Sequence, residues 1–242
     1  MTWETIEIAG KICRIAAADS PVCVLIQPTG EHEQAHLTEE AGQILQHASC
    51  EALFVSFPIA DWDQELSPWH ARQAFGEESF GSGAGATLQW ILEKLLPALR
   101  SQLHLPENIP YILGGYSLAG LFSLWAAYQT DVFAAVAACS PSVWMDGWAE
   151  YAALYRPKTP HIYLSLGTKE HKTRNPLLRT VKERITEQEE LLRQGGVDTV
   201  LEWNTGNHFQ ENAARTAKGF LWCTSRRRQT ATRLPEKCWG IF

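Results

Sequence analysis

The sequence predicts an α/β fold in which a mostly parallel central sheet is flanked by helices on both faces and preceded by an antiparallel hairpin. Three observations carry that prediction. Short apolar runs bounded by turn residues recur along the chain, and their hydrophobicity is continuous rather than alternating, as in strands buried on both faces. From residue 22 onward these runs alternate with helical stretches, the arrangement that right-handed crossovers between parallel strands require. The chain has 242 residues, enough for one sizeable core, so a single domain is expected over 1–222, followed by a tail, 223–242, of unknown order.

Taken in order, Thr5 to Ile8 and Ile12 to Ala16 alternate in polarity around Ala9, Gly10 and Lys11, which reads as the opening hairpin. The apolar runs follow at 22–26 (VCVLI), 52–57 (ALFVSF), 111–115 (YILGG), 132–139 (VFAAVAAC), 162–167 (IYLSLG) and 200–203 (VLEW). Helices are expected near 37–48, 86–101, 118–129, 176–194 and 211–222. Leu88, Ile91, Leu92, Leu95 and Leu96 give the second of these an apolar face, and Gly195 with Gly196 supplies the stop of the fourth.

Hydrophobic residues make up 45% of the chain and charged residues 20%, an ordinary globular composition. The net charge of −6 provides no basic field for nucleic acid or anionic lipid, and Arg226, Arg227 and Arg228 read as a short solvated run. No run of about twenty apolar residues is present, and glutamates occupy the N-terminus where a secretion signal would be basic and then apolar, so a cytoplasmic location is expected. Cys13, Cys23, Cys50, Cys139, Cys223 and Cys238 are scattered without metal-ligand spacing and read mostly as reduced, inert thiols.

The run YILGGYSLAGLFSLWAAY places Ser117 between a predicted strand and a predicted helix. Gly115 and Ala119, two residues to either side, are small where a sharp strand-to-helix turn brings backbones together. The Leu118 amide would then stand at a helix N-terminus, able to donate to an oxyanion. A nucleophilic serine needs a base, and the base an orienting group. Glu170 follows the strand IYLSLG, and His208 lies in the loop NTGNHFQE after the next strand, so all three residues fall at one edge of the sheet.

On GGYSLAG with its helix, SPSVW at 140–144, the LSLGTKE strand end and the NHF loop, the chain resembles the esterase group of α/β-hydrolases that includes esterase D (S-formylglutathione hydrolase) and the enterobactin trilactone esterases. The resemblance spans about residues 1 to 222. It implies cleavage of a small ester or thioester through an acyl-enzyme, without a cofactor, in the order Ser117, Glu170, His208: nucleophile, orienting acid, general base. Ala119 replaces the usual second glycine, and the acid is glutamate rather than the commoner aspartate. The loop QPTGEHE has neither a lipase-like HGG run nor an aspartate-glycine pair, which leaves the Thr29 or Gly30 amide as the best second oxyanion donor.

Residues 58–85 form too long a connection to be bland, and Trp62, Pro68, Trp69 and Phe75 within it are expected to overhang the site. Trp144 and Trp148 after the SPSVW turn, and Tyr116 beside the serine, complete the expected substrate-contacting aromatics. Two other readings compete. A hydrolase fold without catalysis would serve as a binding scaffold. In addition, His32, Glu33 and His36 spell the H-E-x-x-H pattern of zinc peptidases, although they fall at the start of a helix and no third ligand follows. Oligomeric state and acyl preference are not set by the sequence.

Overall fold

The computed structural model describes residues 2–17, 20–74 and 79–226. Phe75, Arg227, Arg228, Cys238 and the chain beyond Arg226 lie outside the described residues.

The hairpin forms as its alternation predicts: β1 (Glu4–Ile8) pairs antiparallel with β2 (Lys11–Ala17), and the turn between them uses positive φ at Ala9 and Gly10. Each of the six apolar runs is a strand: β3 (Cys23–Thr29), β4 (Ala52–Pro58), β5 (Tyr111–Tyr116), β6 (Phe133–Cys139), β7 (His161–Gly167) and β8 (Asp198–Asn204). Together they make one eight-stranded sheet in the order β1-β2-β4-β3-β5-β6-β7-β8. β2 pairs antiparallel with β4, and every pairing from β4 to β8 is parallel.

Continuous hydrophobicity in these strands reflects two cores. In β3, Val24 and Ile26 enter one cluster and Cys23 and Leu25 the other, because successive side chains leave a strand on opposite faces. The smaller cluster packs beneath α1 (Gln34–His47) through Leu37, Ala41 and Ile44, and beneath α8 (Asn212–Arg226) through Ala217, Phe220 and Cys223. The larger lies beneath the helices of the other face. Each fully buried Leu, Ile or Phe among them contributes roughly 1.5–3 kcal/mol. At Gly114 α8 presses close: a β-carbon there would stand 2.6 Å from the Phe220 ring.

The helices depart from expectation in several places. The stretch expected at 86–101 is α3 (Ala84–Trp90), a π-helical turn (Ile91–Leu95) and α4 (Leu96–Gln102); the Leu96 N–H donates to Ile91, five residues back, beside Pro97, which has no N–H to offer. Two short helices were not legible, α2 (Trp62–Glu65) in the long connection and α6 (Trp148–Leu154) after SPSVW. The helix α5 (Leu118–Gln129) matches its expected bounds, whereas α7 (Val181–Gln194) starts late, after a 3-10 turn at Leu178–Thr180. Finally, α8 runs past the expected end at 222, because Cys223 and Thr224 are buried and the Ser49 hydroxyl donates to Thr224. Among the described residues no helix is long and apolar enough to cross a membrane.

The thiols of Cys13, Cys139 and Cys223 are buried, and desolvation raises the pKa of each, that of Cys13 to about 11. Cys23 and Cys50 approach with their sulfurs 3.3 Å apart.

Candidate active site

Parallel strands present their C-terminal ends along one sheet edge, and Ser117, Glu170 and His208 follow β5, β7 and β8 at that edge. Ser117 adopts φ 58°, ψ −118°, a sparsely populated conformation costing about 1–3 kcal/mol. Hydrogen bonds to neighbouring segments hold it there. Its N–H donates to Cys139 O at 3.0 Å, and its carbonyl accepts from Leu121 N at 3.0 Å and Ser142 N at 3.1 Å. The small residues are required: a β-carbon on Gly115 would lie 2.6 Å from the Ala119 β-carbon. Gly120, which sequence reasoning did not single out, is equally constrained, with Cys139 O 2.8 Å from its would-be β-carbon. Leu118 opens α5, so its N–H has no acceptor within the helix.

The three side chains form one hydrogen-bonded line. His208 Nε2 stands 3.0 Å from Ser117 Oγ, and His208 Nδ1 stands 2.8 Å from Glu170 Oε2. A carboxylate facing Nδ1 places the ring proton there and leaves Nε2 free to accept the serine proton. The Glu170 side chain is 4% exposed, and its other oxygen accepts from Ser140 Oγ at 2.8 Å, Gly167 N at 2.6 Å and, at 3.5 Å, Arg215 Nη1. Three donors thus satisfy that oxygen of a carboxylate that is out of reach of solvent.

A cavity of about 440 Å³ opens over Ser117 and His208. Phe80, Trp144, Leu178 and Val181 supply apolar wall, and Lys169 and Lys172 bring cations to a lining that also holds Asp63, which accepts from Gln73 Nε2 at 2.9 Å. Phe209, 85% exposed, stands at the rim. The long connection contributes as expected, through Asp63, Gln73, Ala74 and Phe80.

Among the described residues, Trp144 alone of the expected substrate-contacting aromatics lines this cavity. Tyr116 is buried and its hydroxyl donates to His208 O at 2.8 Å, so it braces the histidine loop from behind. Trp69 donates to Asp146 O and packs on Trp148 and Tyr151, which ties the connection to α6. Trp148 is core, donating to Gln188. Trp62 meets the His32 ring edge to face at 4.7 Å.

The H-E-x-x-H residues do not converge. His32 and Glu33 sit in a 3-10 turn (Glu31–Glu33) and His36 on α1, and Glu33 turns back to accept the Gly30 N–H at 3.2 Å. Among the described residues no group of three or more His, Cys, Asp or Glu side chains is placed to hold a metal ion. Of the two expected second donors, the Gly30 amide is thus engaged by Glu33, whereas Thr29 ends β3 with its hydroxyl 2.7 Å from Ser56 Oγ.

Burial pushes the Glu33 carboxyl up to about 7, against the opposing Gly30 hydrogen bond, and holds Glu40 well above its ordinary value, with Glu33 itself adding repulsion. A carboxyl raised on folding contributes stability below its unfolded value of about 4.5, and that contribution is lost as pH climbs through 7. Unfolding free energy should therefore fall by about 2 kcal/mol more between about pH 5 and pH 8 in the parent than in Glu33→Gln, after discounting for solvent at the half-buried carboxyl. Urea titrations of both proteins at the two pH values measure this, and equal slopes would contradict it.

The sequence-family model described as "Putative esterase" matches residues 17–218. The chain belongs to this family. The esterase is similar in fold to the IroE-like serine hydrolase from Shewanella oneidensis (15% identity over 94% of this chain and 79% of that one, TM-score 0.72). It is similarly close to the siderophore hydrolase EstA from Aspergillus nidulans (18%, 92% and 94%, TM-score 0.70). The enterobactin esterase Fes from Shigella flexneri matches at 15% identity over 93% of this chain and 60% of that one, TM-score 0.65. No curated protein sequence matches the chain. The family and the α/β-hydrolase architecture together make the protein a carboxylic ester hydrolase.

Sequence reasoning missed Ser140, Lys169, Lys172, Phe209 and Arg215. Of these Arg215 carried the clearest signal: it shares a helical face with Gly219 and Cys223, four and eight residues on, where a charge needs a buried partner.

Proposed function

We propose that this esterase cleaves a carboxylic ester or thioester through an acyl-enzyme on Ser117. The observation that carries the proposal is the unbroken line from Glu170 through His208 to Ser117 at the floor of the cavity. Ser117 Oγ attacks the carbonyl carbon as its proton passes to His208 Nε2. The tetrahedral oxyanion collapses, the bond to the leaving alcohol or thiol breaks, and His208 returns the proton to that group. Water then attacks the acyl-enzyme by the same route, and the acid leaves with Ser117 restored.

The Leu118 N–H is the first oxyanion donor in this scheme, and a second comes from the Thr29–Gly30 turn once Glu33 releases Gly30. Removing one such donor typically costs on the order of a hundredfold in rate. Incubation with a fluorophosphonate probe tests the proposal: stoichiometric labelling of Ser117 in the folded protein is expected. A folded protein that fails to label would leave the fold as a binding scaffold.

The solved neighbours are named for siderophores and enterobactin, and the apolar wall with two lysines suits an ester that carries an aromatic, anionic group. A carboxylate-bearing aryl ester should therefore be preferred over a neutral one of equal size. Replacing Lys169 and Lys172 together with glutamate should lower kcat/KM for the anionic ester by about tenfold, with less effect at high salt and little on the neutral ester. Equal losses on both esters would refute the charge preference.

A further inference from the structure

We propose that Arg215, on α8, is a positioning residue that sets the imidazole of His208 against Ser117. The inference rests on the acyl-enzyme reading above. The guanidinium is 1% exposed, and its contacts all belong to the site's scaffolding. Nη2 donates to Thr205 O at 2.8 Å, and Nη1 to Asn207 O at 2.8 Å and Tyr116 Oη at 3.1 Å. Nη1 also lies 3.5 Å from Glu170 Oε1.

These acceptors are the two ends of the turn that delivers His208, the residue before the nucleophile, and the acid of the triad. Tyr116 closes the loop, because the hydroxyl that accepts from Arg215 donates onward to His208 O at 2.8 Å. One planar group therefore fixes the histidine turn against β5 and the Glu170 carboxylate. A guanidinium is suited to this because its donors are fixed in a plane and it keeps its charge when buried. Gly206, inside the turn at φ 108°, lets the backbone curl around it; a β-carbon there would stand 3.2 Å from Arg215 Nη2.

The role separates from plain structural support because it predicts a loss per site rather than a loss of sites. In Arg215→Lys the charge stays but a single ammonium cannot meet Thr205 O, Asn207 O and Tyr116 Oη together. We expect kcat and the fluorophosphonate labelling rate constant to fall by about 10- to 100-fold, since a misplacement of about 1 Å can cost that much. KM should stay within about twofold and the labelling end point at one per chain. Tyr116→Phe, which removes the bridge alone, should show a smaller loss of the same kind.

Arg215→Met should lose more, and where it fails to fold the Lys and Phe variants decide. A fall in the labelling end point, with an unchanged rate constant for the sites that remain, would make Arg215 merely structural and overturn the proposal. So would parent-like kinetics in Arg215→Lys. Absence of labelling in the parent protein would sink the acyl-enzyme reading instead, a different outcome from either.

Discussion

Ser117→Ala is expected to lower kcat on a p-nitrophenyl ester by roughly a million-fold while leaving the protein folded. The proposed route from His208 to a bound acyl group runs through this hydroxyl, which stands 3.0 Å from Nε2. Without it, catalysis falls back on oxyanion donors and binding, which retain on the order of a thousandfold over water. Stability should change by less than about 1 kcal/mol. The turn is held by backbone contacts to Cys139, Leu121 and Ser142 that alanine keeps, and alanine at φ 58° carries the same strain as serine. Progress curves on the ester, with thermal unfolding of both proteins, measure this. Activity within about tenfold of the parent would remove Ser117 from the mechanism.

The Ser117–His208–Glu170 line was legible because its signals are local. Gly115, Ser117 and Ala119 stand at a strand-to-helix junction, and Glu170 and His208 each follow a continuous apolar run, so topology alone brings them to one edge. What escaped the sequence depends on direction rather than residue type. Tyr116 and Trp69 have the composition of a substrate wall, but a strand or a docked loop turns them inward, and nothing in an aromatic residue's identity says which way it points. Lys169 and Lys172 escaped notice as lining residues because the cavity beside them is assembled from segments about a hundred residues apart.

The H-E-x-x-H string, already short of a third ligand in the sequence, has a local structural cause. A glutamate three residues after a turn glycine can reach back to that residue's N–H, as Glu33 does to Gly30. The string therefore reports how α1 begins rather than how a metal is held, and its glutamate occupies an amide beside the expected oxyanion site.

Glu170→Gln should lower kcat by on the order of 10⁴-fold with KM nearly unchanged, the size of effect seen when a triad acid becomes an amide. The reason lies in what surrounds the carboxylate. One oxygen already accepts from Ser140 Oγ and Gly167 N, so the glutamine carbonyl oxygen must sit there, since an NH₂ would face two donors. That choice turns the amide NH₂ toward His208 Nδ1, which must then become an acceptor. Nε2 takes the ring proton, donates toward Ser117 Oγ, and can no longer receive the serine proton. Glu170→Ala removes this tautomer conflict but leaves the buried Arg215 cation without its carboxylate, so it should lose about 3 kcal/mol of stability that Glu170→Gln largely keeps as a polar partner. Comparing kcat and unfolding free energy across the two variants separates tautomer control from loss of the polar partner to Ser140, Gly167 and Arg215. If Glu170→Gln retained more than about a tenth of parental kcat, the acid would be orienting nothing.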